Sequence, residues 1–152
     1  MHSNVRVDIM TTQELSIITS LYNKIFTPNQ PLEYFVDRLT SHRSPLILTA
    51  FADDIPIGFA LGYEHRPGVF FQWRYGVLKD YRGQGVGSQL IDASQTWIQE
   101  QNYQLTRIEC LNHHRAMLHM TIAKNYQIVG LRHDNEIHAN LILMEKDFSM
   151  DV

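Results

Sequence analysis

The sequence predicts an α/β fold in which a mixed, mostly antiparallel twisted sheet carries helices. Three observations lead there. Short runs of alternating apolar and polar residues read as strands. Amphipathic stretches of helical period separate some of them. In the middle, an aromatic-rich strand runs through a glycine cluster into a helix and then another strand. That makes one β-α-β unit, with a crossover expected to be right-handed. The predicted order is β, α, α, β, β, β, α, β, α, β, β.

The first strand is the alternating VRVDIM. Thr11 and Glu14 have capping-box spacing ahead of a helix whose one face carries Leu15, Ile18, Leu21, Tyr22 and Ile25. TPNQP breaks it, and Pro31 suits the first turn of a second helix through Arg38 and Leu39. Strands at 46–52 and 57–63 flank a turn at Asp53 and Asp54. RPG marks the next turn, and a third strand of this meander follows at 69–78. After the glycines a helix runs to about Gln101, with a buried stripe of Val86, Leu90, Ala93, Trp97 and Ile98. LTRIECL alternates as a strand. HHRAMLHMTIAK is helical and ends near Asn125, a suitable left-handed cap. YQIVGLRH and HANLILMEKDF close the sequence as two strands about a polar turn.

The 152 residues suit one domain spanning 1–152, large enough for a full core. Hydrophobic residues make up 44% and charged residues 19%, as in a globular protein. A net charge of −3 gives no basic footprint for nucleic acid. The N-terminus lacks the layout of a signal peptide, and no apolar run is long enough to span a bilayer. The lone Cys110 has no internal disulfide partner. These observations predict a cytoplasmic protein without a membrane partner.

YRGQGVGSQLI places Gly83, Gly85 and Gly87 at a helix start. The first N–H groups of a helix lack internal partners, and the helix dipole adds positive charge there. Glycines remove the Cβ atoms that would hold a phosphate away. A Walker A loop would need Lys then Ser or Thr after the last glycine, but Gly87 is followed by Ser88 and Gln89. A dinucleotide fingerprint would need G-x-G-x-x-G after the first strand of its unit, but these glycines alternate after a meander. On the glycines alone, a turn with no ligand is the plain alternative.

Arg82-Gly83-Gln84-Gly85-Val86-Gly87 fits R-x-x-G-x-G and resembles the acetyl-CoA signature of the GNAT superfamily of N-acetyltransferases. YGVLKDYRGQGVGSQLI resembles that family's strand, loop and helix, and the whole element order resembles the GNAT-like fold. The resemblance implies that backbone N–H groups of Arg82, Gly83, Gln84, Gly85, Val86, Gly87 and Ser88 bind the pyrophosphate of acetyl-CoA, a co-substrate. It implies that Val77, Leu78 and Lys79 pair with the pantetheine arm and offer an N–H to the thioester carbonyl. Lys79 stands where the family usually has proline. It implies too that Asn112 and His114 lie near the coenzyme arm.

The family's proton-donating tyrosine has no counterpart, because Thr121 falls on its position. Its fourth-strand glutamate is replaced by Phe71. Glu64, His114 and Thr121 are therefore the catalytic candidates, as base or as holder of a water. Phe71, Trp73 and Tyr75 are candidates to wall a substrate pocket, although aromatics are more often core. Glu109 lies on the fifth strand, where the family often carries a glutamate; a structural carboxylate is the simpler reading. Cys110 reads as a core thiol. His114 and His119 are five apart rather than i, i+4, and no cysteine pair joins His113 or His133, so no metal is expected. The implied activity is acetyl transfer from acetyl-CoA to a primary amine of a small molecule or peptide in a ternary complex. The alternative is an acyl-CoA-binding sensor or regulatory module with no turnover. A homodimer is common in folds like this.

Overall fold

Alternation, helical period and turn chemistry yield the predicted order of strands and helices. The elements are β1 (Val5–Ile9), α1 (Leu15–Ile25), α2 (Leu32–Thr40), β2 (Leu46–Ala52), β3 (Ile55–Arg66) and β4 (Val69–Val77). They continue with α3 (Val86–Glu100), β5 (Leu105–Leu111), α4 (Arg115–Ala123), β6 (Gln127–Asp134) and β7 (Ala139–Asp147). The computed structural model describes residues 4–135 and 137–150, so Glu136 in the predicted last turn lies outside the described residues, as do 1–3 of the N-terminal stretch.

The Glu14 carboxylate accepts from the Thr11 N–H at 2.9 Å, completing the predicted box. It first caps a 3-10 turn over Thr12–Glu14, which leads into α1. Asp53 and Asp54 adopt φ of 49° and 70°, the left-handed pair a two-residue hairpin needs. The strand after them is longer at both ends than predicted, because that turn closes immediately on Ile55 and pairing with β4 runs on to Arg66 opposite Val69. Asn125 has a φ of 69° behind α4, as its capping role requires. On α3 the deeply buried positions are Val86, Leu90, Ile91, Ser94 and Ile98; Ala93 and Trp97, predicted for the stripe, are half-buried.

One seven-stranded sheet runs in the order β1-β2-β3-β4-β5-β7-β6. Only β4 and β5 are parallel, joined through α3. On one face α1 and α2 pack over Ile47, Phe59, Leu61, Tyr63 and Trp73. On the other, α3 covers Leu48, Ala60 and Phe70, and α4 with Ile91 of α3 covers Ile108, Cys110 and Met144. A Lys124–Asp92 ion pair of 2.7 Å ties the end of α4 to α3.

The site follows from how β4 leaves β5. Their pairing spans only residues 69–72 against 105–108. β5 continues alongside β7 to Leu111, while β4 continues alongside β3 to Val77. The register Gly62↔Gln72 becomes Leu61↔Arg74, so Trp73 is an extra residue, a β-bulge, where β5 is lost. A bulge bends its strand and breaks the regular ladder. The strands therefore part as a fork.

Candidate active site

Helix α3 opens at the mouth of the fork. A 3-10 turn over Lys79–Tyr81 separates β4 from the glycines. Gly83 and Gly85 have φ of 77° and 85°, and nothing lies within 4 Å of a Cβ built on either. The left-handed backbone demands glycine. The open space beside it is what an anion at a helix N-terminus would need. Gly85 is the N-cap residue of α3. Gly87 lies in the first turn, and a Cβ there would stand 3.7 Å from Met120 Cε and 4.0 Å from Val77 Cγ2, between the prongs. The Arg82 guanidinium bonds Val77 O at 3.1 Å, folding the loop back over the strand.

The β4 backbone beyond the bulge carries free groups. Leu78 N–H donates to Ile57 O at 2.8 Å, so it is committed to β3. In an antiparallel ladder the bonded pairs alternate. With Gly58↔Val77 and Ala60↔Tyr75 in register, Val77 and Tyr75 turn their N–H groups away from β3, into the fork. The arm-binding segment expected at 77–79 therefore has Val77 as its donor to the fork, joined by Tyr75. Leu78 is spent elsewhere.

The sequence model of the acetyltransferase (GNAT) family matches residues 15–121. The chain belongs to the GNAT family of acetyltransferases. It is, by that membership, an acyltransferase. Solved structures share the GNAT fold over nearly the whole chain. The ribosomal-protein-S18-alanine N-acetyltransferase of Escherichia coli has a TM-score of 0.82 at 14% identity, covering 97% of this chain and 96% of that one. An N-acetyltransferase from Staphylococcus aureus Mu50 has a TM-score of 0.79 at 17% identity, covering 96% and 99%. A GNAT family acetyltransferase from Elizabethkingia anophelis, solved with acetyl-CoA bound, has a TM-score of 0.78 at 15% identity, covering 95% and 98%. No curated protein sequence matches the chain.

Two of the three catalytic candidates of this GNAT chain are not brought to the glycine loop. Glu64 pairs with Phe70 at the start of β4, whereas the glycine loop follows Val77 at its end. That separation is on the order of 20 Å at about 3.3 Å per residue. Its carboxylate accepts from the Tyr103 hydroxyl at 2.8 Å, a contact that braces the loop before β5. Thr121 is fully buried. Its hydroxyl donates back to Met117 O at 2.9 Å and lies 3.1 Å from Met144 Sδ, so it is occupied within α4 and against β7. His114 does reach the loop side. It is the N-cap residue of α4 rather than part of the helix. Burial, followed by the nearby His113 and Arg82, lowers its pKa. The exposed Asn112 opens the turn between β5 and α4, its N–H on Asn140 O at 2.9 Å. Gln84 bonds Asp80 O at 3.3 Å, and Ser88 is half-buried in the first turn of α3.

The aromatic trio does not share one wall. Strict alternation would put Phe71, Trp73 and Tyr75 on the same face. The bulge sends Phe71 and Trp73 to the α1–α2 side and Tyr75 to the α3–α4 side. Trp73 is only 4% exposed, a core residue among Tyr34, Phe35 and Tyr63. The Tyr75 hydroxyl donates to Gln72 Oε1. Gln72 Nε2 donates to Thr106 Oγ1 at 2.9 Å and to the Tyr126 hydroxyl at 2.7 Å. This buried network closes the crotch of the fork. Burial pushes the Tyr75 and Tyr126 phenols up, so both stay protonated as hydrogen-bonding groups.

Cys110 is the core thiol expected, 3% exposed, and burial raises its pKa to about 11. Thr106, Ile108 and Cys110 point into the core on the α4 side, so Arg107 and Glu109 face the other way. Glu109 is the first β5 residue beyond the last β4 pair, and Arg132 Nη2 donates to it at 2.7 Å. Arg74, half-buried beside Trp73, was not singled out from the sequence. The signal was a lone cation within the aromatic run FFQWRYG. Among the described residues no group of three or more His, Cys, Asp or Glu is placed to hold a metal, and no helix is long and apolar enough to cross a membrane.

Proposed function

We propose that the protein transfers an acetyl group from acetyl-CoA to a primary amine, by direct attack within a ternary complex. The observation that carries this is the fork with its glycine-lined helix start. Bare N–H groups at residues 83–88 suit a pyrophosphate. Val77 and Tyr75 offer N–H groups to negative charge developing on a thioester oxygen in the fork. A thiol with a pKa near 11 is a poor nucleophile, which argues against an acyl-enzyme on Cys110.

The attacking amine has to lose a proton. Glu109 is the better base candidate than Glu64, because it stands at the fork on the face opposite α3 and α4, with Arg132 orienting it. The coenzyme enters from the α3–α4 side, the acceptor from the α1–α2 side. The amine nitrogen bonds to the carbonyl carbon, its proton passes to Glu109 directly or through water, and the C–S bond breaks to release the thiolate. His114 stays near the coenzyme loop in this reading rather than serving as the base.

Free thiol released from acetyl-CoA in the presence of an amine panel tests the reading. Turnover with at least one amine is expected, with kcat about 10²-fold or more lower in Glu109→Gln. Tight coenzyme binding without thiol release from any amine would replace the enzyme reading with a binding module. Unchanged kcat in Glu109→Gln would remove that residue as the base.

A further inference from the structure

The bulge that opens the fork also turns Arg74 out of alternation. Trp73 and Arg74 are consecutive, yet both face α1 and α2, where the acceptor would enter. Arg74 Nη2 donates to the Tyr34 hydroxyl at 3.2 Å and Nη1 to Trp73 O at 3.2 Å. Its guanidinium carbon stands 5.0 Å from the Trp73 ring centre. Arg38 of α2 lies 4.8 Å from that same ring centre and donates to the Tyr63 hydroxyl at 3.1 Å.

Neither guanidinium meets a carboxylate. Among the described residues the ion pairs engage Arg6, Arg107, Lys124 and Arg132, and none engages Arg38 or Arg74. The chain is acidic overall, with 16 Asp and Glu against 13 Lys and Arg, so acids are not scarce. Both arginines are half-buried. A cation withdrawn from water without a counter-ion is costly. A guanidinium carries five N–H donors in a planar fork that matches a carboxylate. The bonds above occupy two on Arg74 and one on Arg38, and Arg74 also bonds the Tyr22 hydroxyl, which leaves donors over on both.

We propose that Arg74 binds a carboxylate of the acceptor, with Arg38 as a second positive charge beside it. The amine acetylated then belongs to a molecule that also bears an acid group, such as an amino acid or an acidic peptide. The inference rests on the acetyltransferase reading above. It goes beyond that reading by assigning the acceptor class and the residue that selects it.

The test uses dipeptide acceptors in matched pairs. Ala-Gly is compared with its C-terminal amide, and Ala-Glu amide with Ala-Gln amide. Wild-type protein should favour the acid of at least one pair by about 10–100-fold in kcat/KM, the value of a charged hydrogen bond. Arg74→Gln should abolish that preference, lowering kcat/KM for the acid about 10–100-fold more than for its neutral partner. Arg38→Gln should reduce the preference by less. Equal use of acid and amide by the wild type would overturn the proposal. So would an equal fall for both in Arg74→Gln, the outcome if Arg74 only covers Trp73. Turnover of neutral amines without an acid preference leaves the acetyltransferase reading standing and removes this one. If no amine turns over, titration of the acetylated dipeptides into coenzyme A-loaded protein decides. Tighter binding of the acid than the amide, lost in Arg74→Gln, supports the carboxylate site, and equal binding overturns it.

Discussion

Gly85 and Gly87 sit two residues apart and answer to different physics. At Gly85 the φ of 85° makes any side chain strained, so Gly85→Ala should cost about 1–2 kcal/mol of stability before any ligand is considered. A loss of coenzyme affinity there would be mixed with that strain. Gly87 is helical, and a Cβ would find Met120 Cε at an ordinary 3.7 Å. Replacing a helical glycine by alanine gains up to about 1 kcal/mol. The same Cβ projects between Val77 and Met120, where the proposed coenzyme arm passes. Gly87→Ala should therefore keep or raise the melting temperature while weakening acetyl-CoA about tenfold or more by calorimetry. Unchanged affinity would mean that the arm does not run between these prongs. The glycines were legible in sequence because a helix start and its backbone demands are local. The surroundings of Glu64 were not, because its partner Tyr103 lies 39 residues away. Thr121 was hidden in the same way, since its burial is set by Met144 of β7, 23 residues away.

Among the elements, β4 decides the site, and its decisive feature is one residue that alternation does not reveal. The strand was legible from its aromatic run and its turn at Gly68. The bulge was not, since FFQWRYG reads equally well as an unbroken strand until its partner β3 is aligned. That one extra residue separated Tyr75 from Trp73 and brought Arg74 to the α1–α2 side. The fork needs a closed end as well as an open one. Gln72 supplies it by joining β4 to Thr106 of β5 and to Tyr126 behind α4. Gln72→Leu fills a similar volume but strands buried hydroxyls, so it should lower stability by about 2 kcal/mol or more in denaturant titration. Tyr126→Phe removes one bond and should cost about 1 kcal/mol. A neutral Gln72→Leu would show that the network does not brace the fork. If it braces the fork, the stability loss should come with a raised KM for acetyl-CoA.

Across the whole molecule, the fork leaves the sheet with two parts of unequal protection. On one side β2 is buried along all seven residues, paired by β1 and β3 and covered on both faces. On the other, β6 is an edge strand with Ile128, Val129 and Leu131 each at least half exposed. The ladder between the two sides is the short stretch of 69–72 with 105–108, to which the Gln72 network, the Thr106 bond to Phe70 O and the Lys124–Asp92 ion pair add polar ties. Regions with few buried contacts open at lower free energy than the core. Amide exchange in the unliganded protein should thus be slowest in β2 and β3 and faster in α4, β6 and β7. A coenzyme lying in the fork would touch β4, the start of α3 and the start of α4 together, joining the two parts. At a coenzyme concentration about 100-fold above its Kd, linkage supplies about 2.7 kcal/mol. The gain in protection should fall first on α4, β7 and β6, because their opening is the motion the bridge blocks. An equal gain in every slow amide would mean instead that the sheet already opens as one unit and the fork is not a line of weakness. A gain confined to residues 83–88 would mean that the coenzyme rests on the loop without entering the fork.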